Sequence, residues 1–139
     1  MVVVCLLAYL SYVDLKKREV PNSGILALFF YSIIISGPKG LAANLPIALA
    51  VFVGLFIMAV ITNEGFGGGD IKLISVLALF MGKDLFLLSL PMAILILITL
   101  IWAVVKKKGW RYEIPFVPYV FLSYLVYLGV YMWNTVCLV

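Results

Sequence analysis

Residues 41–62 read LAANLPIALAVFVGLFIMAVIT, a run with no charged side chain. A helix needs about 20 predominantly apolar residues to cross a hydrocarbon core of about 30 Å, and this run is long enough. Outward from it, the chain breaks into about six apolar stretches, at 1–13, 24–36, 41–62, 71–82, 85–105 and 114–138. The third, fifth and sixth have the length for a straight crossing. The first, second and fourth reach across only where their helices continue into polar flanks or the bilayer beside them is thin or wet. Composition agrees with this reading. Of 139 residues, 66% are hydrophobic and 12% charged, and the mean hydropathy is +1.25. A soluble domain is about half apolar and a quarter charged, so an ordinary water-soluble globule is excluded. The expected fold is an all-α membrane protein of about six transmembrane helices, forming a single integral membrane domain over 1–139.

The breaks between stretches have local causes. Pro21, Asn22 and Ser23 offer a helix start, with the Asn or Ser side chain placed to cap free N–H groups. Gly37-Pro38-Lys39-Gly40 reads as a turn, and Gly82-Lys83-Asp84 separates the fourth stretch from the fifth. Pro91 is expected to kink the fifth helix, because its ring removes a backbone donor. Pro115 and Pro118 mark the entry to the sixth.

The cations then orient the chain. Lys16, Lys17, Arg18, Lys72, Lys106, Lys107, Lys108 and Arg111 fall in or beside the loops after the first, third and fifth stretches, whereas the opposite side holds only Lys39 and Lys83. The positive-inside rule makes the basic side cytoplasmic and places both termini on the non-cytoplasmic side of a cell (plasma or inner) membrane. The net charge of +4 is therefore mainly a topology signal. Residues 106–108 are placed to meet anionic lipid headgroups; no basic-aromatic surface domain exists to carry nucleic acid. The first stretch has the length of a signal peptide but lacks a basic start and a small-residue cleavage site, so it reads as a span.

Chemistry is narrowed by what the chain lacks. It has no histidine, which excludes His-dependent triads and His-ligated zinc sites. Cys5 and Cys137 lie in apolar runs near opposite ends and read as packing residues, not as a redox pair. No metal site and no cofactor are expected. Six acids remain: Asp14, Glu19, Glu64, Asp70, Asp84 and Glu113. Each is costly in a membrane protein and therefore informative. Asp84 beside Lys83 reads as a solvated loop residue, Glu113 near Arg111 as a surface charge, and Glu19 in Lys16-Lys17-Arg18-Glu19 as solvated. Glu64 is ambiguous. Asp14 closes an uncharged helix on the basic side. Asp70 follows Gly67-Gly68-Gly69 and opens a helix on that same side. No other two acids are so placed, and together they suggest a carboxylate pair. Three glycines allow a sharp bend or a close approach of another segment. A phosphate loop is excluded, because Asp70 stands where its lysine would be needed.

These residues resemble a known family. Asp14-Leu15-Lys16-Lys17-Arg18-Glu19-Val20-Pro21-Asn22 is similar to the first motif of the type IV prepilin and preflagellin peptidases, an aspartate followed by a short basic stretch and Ile/Val-Pro-Asn. Gly67-Gly68-Gly69-Asp70-Ile71-Lys72-Leu73 is similar to their second motif, the GxGD box with a trailing lysine. Ile114-Pro115-Phe116-Val117-Pro118-Tyr119 resembles the entry to their last helix. The likeness spans nearly the whole chain, with the two aspartates 56 positions apart. It implies a membrane aspartic endopeptidase, related in its GxGD logic to presenilin-like proteases, with Asp14 and Asp70 as the catalytic pair. Its substrate would be a pilin or flagellin precursor, cut after a short basic leader at the cytoplasmic face. Larger bacterial members also N-methylate the new terminus, using a domain with paired Cys-x-x-Cys motifs. This chain has neither, and a compact peptidase-only member is expected.

Hydrolysis by two carboxylates requires one protonated and one ionised group around a water. Adjacent like charges make them share a proton over part of the pH range. Asp70, at a helix N-terminus, gains about 0.3–1 kcal/mol for a negative charge, while Asp14 lies at a C-terminus; this bias makes Asp70 the expected base. Gly67 and Gly69 are expected to shape the loop that admits substrate. Lys72 either orients Asp70 or marks the membrane boundary. Pro21 and Asn22 start the second helix. Ser11, one turn before Asp14, either faces the same cavity or bonds its own helix. The tyrosines of the sixth stretch read as packing and interfacial belt. Glu19, Glu64 or Glu113 would contact a basic leader that Lys16, Lys17 and Arg18 repel. The rival readings are a small ion- or proton-coupled transporter that uses the same carboxylates and a non-catalytic membrane assembly subunit.

Overall fold

A computed structural model describes residues 2–17, 20–61, 67–105 and 116–137. All of its regular structure is helical: α1 (Val2–Lys17), α2 (Asn22–Ile61), α3 (Gly68–Met81), a 3-10 turn (Gly82–Asp84), α4 (Leu85–Val105) and α5 (Val117–Cys137).

The expected turn at 37–40 narrows to one residue. Gly37 adopts φ 60° and ψ 176° inside α2, a conformation a Cβ would oppose. Pro38 follows with its φ already set for the start of a helix. The two arms of α2, residues 22–36 and 38–61, then fold back on each other along α3. Tyr31 in the first arm lies 6.1 Å from Phe80 near the end of α3. Asn44 in the second arm donates from Nδ2 to the Leu79 carbonyl at 3.1 Å. Further along that arm, Phe52 shares a cleft with Ile25 and Phe29.

Among the described residues, two helical stretches are long and apolar enough to cross a membrane, Asn22–Ile61 and Gly68–Thr99. This differs from the expected count of about six spans. Each of these stretches joins two of the expected segments: 22–61 holds the two arms that meet at the kink at Gly37, and 68–99 holds α3 and much of α4 with the 3-10 turn between them. At 16 residues, α1 is short of a straight crossing. Tyr119, Tyr124, Tyr127, Tyr131, Asn134 and Thr135 lower the apolarity of α5. Pro91 lies within α4, which continues as one helix through it.

Helical periodicity sets what is buried. On α1, Val3, Leu7 and Leu10 form an apolar stripe at alternating spacings of four and three, and Asp14 is the next position on it. On α5, Val117, Val120 and Tyr124 repeat the pattern. Leu73, Leu77 and Ala78 of α3, with Leu28 and Ala48 from the two arms of α2, complete this core. The outer faces carry large apolar side chains, with Ile34 76%, Phe86 70% and Trp133 71% exposed. Such a continuous apolar exterior suits lipid, not water.

Gly82 shows how tightly one end of the bundle is closed. Its φ is 59°, and a Cβ there would collide with the Asn44 side-chain amide that bonds Leu79. Gly82→Ala is expected to destabilise the fold by about 1–3 kcal/mol, read as a lower midpoint of thermal unfolding in detergent micelles.

Candidate active site

At the other end of the bundle, α1 ends while α2, α3 and α5 begin. Asp14, 5% exposed, stands in the last turn of α1. Its position on the apolar stripe carries the carboxylate inward instead of out to the boundary. There Oδ2 accepts a hydrogen bond of 3.0 Å from the backbone N–H of Val117, the first residue of α5. Ser11, one turn earlier, is buried on the same helix.

Asp70 is the third residue of α3 and half-buried. Gly67 precedes the helix in extended conformation (φ −63°, ψ 133°), and its carbonyl accepts from the amides of Asp70 and Ile71. The Asp70 carboxylate curls back over this start: a Cβ on Gly67 would lie 3.2 Å from its Oδ2. Asp14 lies close enough to Asp70 to act on it electrostatically. The two acids thus come from separate helices and face one region.

The glycine run works by close approach and not by unusual backbone angles. Among the described residues, the positive-φ glycines are Gly37 and Gly82, neither of them in this run. A Cβ on Gly69 would lie 2.9 Å from Val20 Cβ and 3.2 Å from its Cγ2. Val20 therefore seats directly on the start of α3, and this contact ties the segment after Asp14 to the helix that bears Asp70. Gly24, near the start of α2, allows a comparable approach: a Cβ there would meet the Leu10 side chain at 2.5 Å.

The remaining sequence candidates separate. The carbonyl of Pro21 serves the amides of Gly24 and Ile25 at the start of α2. The expected Asn22 side-chain cap is not among the hydrogen bonds of the described residues; Asn22 is exposed. Lys72 is exposed as well. Residues two apart on a helix do not face each other, so Lys72 turns away from Asp70 and lines a cleft of about 260 Å³ with Ile25, Leu26, Phe29, Phe52, Ser75 and Val76. That leaves no geometric support for Lys72 orienting Asp70. Glu19, Glu64 and Glu113 lie outside the described residues. At the opposite end, Asp84 is exposed as expected for a loop acid, yet its Oδ2 accepts from the Tyr127 hydroxyl at 3.0 Å. Tyr127 in turn stacks on Tyr131, with ring centroids 6.1 Å apart.

A model of the Type IV leader peptidase family matches residues 1–129. The chain belongs to this family. It is a peptidase of a membrane family whose substrates are prepilin-like precursors. No curated protein and no solved structure matches the chain. The span matched by the leader peptidase model holds both aspartates, the glycine run and the start of α5.

Sequence reasoning missed the Val117 amide. A backbone donor carries no residue-type signature. The available signal was Pro118, which marks a helix start and so identifies which neighbouring N–H groups lack helical partners. The bond also removes the expected asymmetry between the two acids. Asp14 ends one helix but faces the N-terminus of another, so the helix dipole no longer singles out Asp70 as the base.

Proposed function

We propose that this leader peptidase is an aspartic endopeptidase in which Asp14 and Asp70 together activate water. It would cut pilin-like or flagellin-like precursors after a short basic leader, at the cytoplasmic face of the cell membrane. The observation that carries this reading is the convergence of two half- or fully buried acids from α1 and α3 at one end of a bundle with an apolar exterior. Buried carboxylates in such a setting are costly and point to function.

In the proposed step, the ionised carboxylate takes a proton from water as the water oxygen attacks the scissile carbonyl carbon. The protonated carboxyl donates to the carbonyl oxygen. When the tetrahedral intermediate collapses, the C–N bond breaks and the leaving nitrogen receives a proton from the pair. One proton is again shared between the two acids at the end of the cycle.

The topology proposed with it has about six membrane-crossing segments, with both termini outside the cytoplasm. The charges at the two ends of the bundle favour that orientation. Lys16, Lys17 and Lys72 lie in the helices that carry the two aspartates, in the turns beside them, while Lys39 and Lys83 flank Gly37 and Gly82 at the other end. That asymmetry matches a cytoplasmic site. The family match supports a peptidase over a transporter.

The test is incubation of the purified protein, in liposomes, with a pilin precursor bearing a lysine-rich leader. The expected result is a mass loss equal to the leader, absent when the leader is deleted. Ion-coupled flux with no mass loss would overturn the peptidase assignment.

A further inference from the structure

We infer that the backbone N–H of Val117 is the positioning group for the Asp14 carboxylate, so that α5 contributes to the active site through its main chain. The inference rests on the reading of Asp14 and Asp70 as the catalytic pair.

The first turn of a helix leaves N–H groups without helical partners. At the start of α5 they are accounted for one by one. The amides of Tyr119 and Val120 go to the Phe116 carbonyl at 3.1 and 3.3 Å. Pro118 has no N–H. From Val117 to Val120, the Val117 amide alone is left over, and it is the one that reaches Asp14, 103 positions earlier in the chain. Pro118 thus removes the neighbouring donor and leaves a single, directed bond. Val117 itself is fully buried, so water does not compete for the amide. One Asp14 oxygen is fixed on α5, which orients the carboxylate and leaves its other oxygen for water and Asp70. A buried carboxylate held by one charge-assisted bond keeps a defined rotamer, and reaction geometry is sensitive to displacements of about 1 Å.

A proline at the first helical position suits the helix while deleting the donor. Val117→Pro therefore removes the bond, and Val117→Ala keeps it while shortening the same side chain. The kcat of V117P is expected to fall about 10- to 100-fold below that of V117A, with KM shared and a melting temperature lowered by the loss of a bond to a buried carboxylate. A merely structural role would lower stability and leave the two variants with equal kcat. Independently of activity, the Val117 amide proton in 15N-valine-labelled protein should shift upfield on Asp14→Ala substitution. This reading stands even if V117P does not fold. Equal kcat for folded V117P and V117A, or a Val117 amide unmoved by D14A, would overturn the inference while the catalytic pair stands. Full cleavage by both D14N and D70N would instead overturn the pair.

Discussion

Asp14→Asn and Asp70→Asn are each expected to lower kcat/KM for leader cleavage at least about 10³-fold, because each removes one of the two groups that move protons. The asparagine carbonyl at position 14 can still accept from the Val117 amide, which in the wild type bonds Asp14 at 3.0 Å. The packing of α1 on α5 therefore survives the change. Leu10 and Leu7, on the same stripe, stay buried beside it. The loss should accordingly appear in kcat, with thermal unfolding close to that of the parent. A leader peptidase that retained substantial cleavage in both variants would place the chemistry elsewhere.

The second large effect falls on a glycine. In Gly69→Ala the new methyl would stand 2.9 Å from Val20 Cβ, with the Val20 carbonyl oxygen 3.7 Å away. Valine is stiff at χ1, and Pro21 fixes the backbone immediately after it. The strain therefore passes to the backbone that joins Asp14 to α2, or to the first turn of α3 that carries Asp70. A displacement of either acid by about 1 Å is expected to lower kcat/KM about 10- to 100-fold, with a stability loss of about 1–3 kcal/mol from overpacking. Gly68→Ala is the matched comparison. A Cβ there meets nothing within 4 Å, and alanine is the better helix former, so its cleavage rate should far exceed that of G69A. Equal rates in a steady-state assay would show that the contact with Val20 does not position the site.

The fold was legible where the side chains themselves set the outcome. The uncharged run at 41–62 and the breaks at Pro21, Gly37 and Gly82 foretold helices and their ends. The acids were legible for the same reason. An aspartate that ends one apolar helix and another that opens a later one on the same side are rare enough to stand out, and the position of Asp14 on the stripe of Val3, Leu7 and Leu10 dictates its burial. What escaped the sequence depends on how the segments meet. The break expected over 37–40 is present, but it takes the single residue Gly37, because Pro38 restarts the helix at once. The role of Gly69 as a seat for Val20 required knowing which segment crosses α3. Lys72 was left between two roles, and helical geometry turns it from Asp70 into the cleft with Phe29 and Phe52. The Val117 amide has no side-chain signature at all.

The cooperation of the two acids is tested most directly by single-turnover cleavage of a leader-bearing precursor by D14N, D70N and the double variant, followed by mass spectrometry. If Asp14 and Asp70 serve one water, removing the second acid costs almost nothing once the first is gone, and the double variant is expected within about threefold of the slower single variant. Losses that multiply, so that the double variant is slower by the product of the two single effects, would show two independent contributions and contradict a shared catalytic pair.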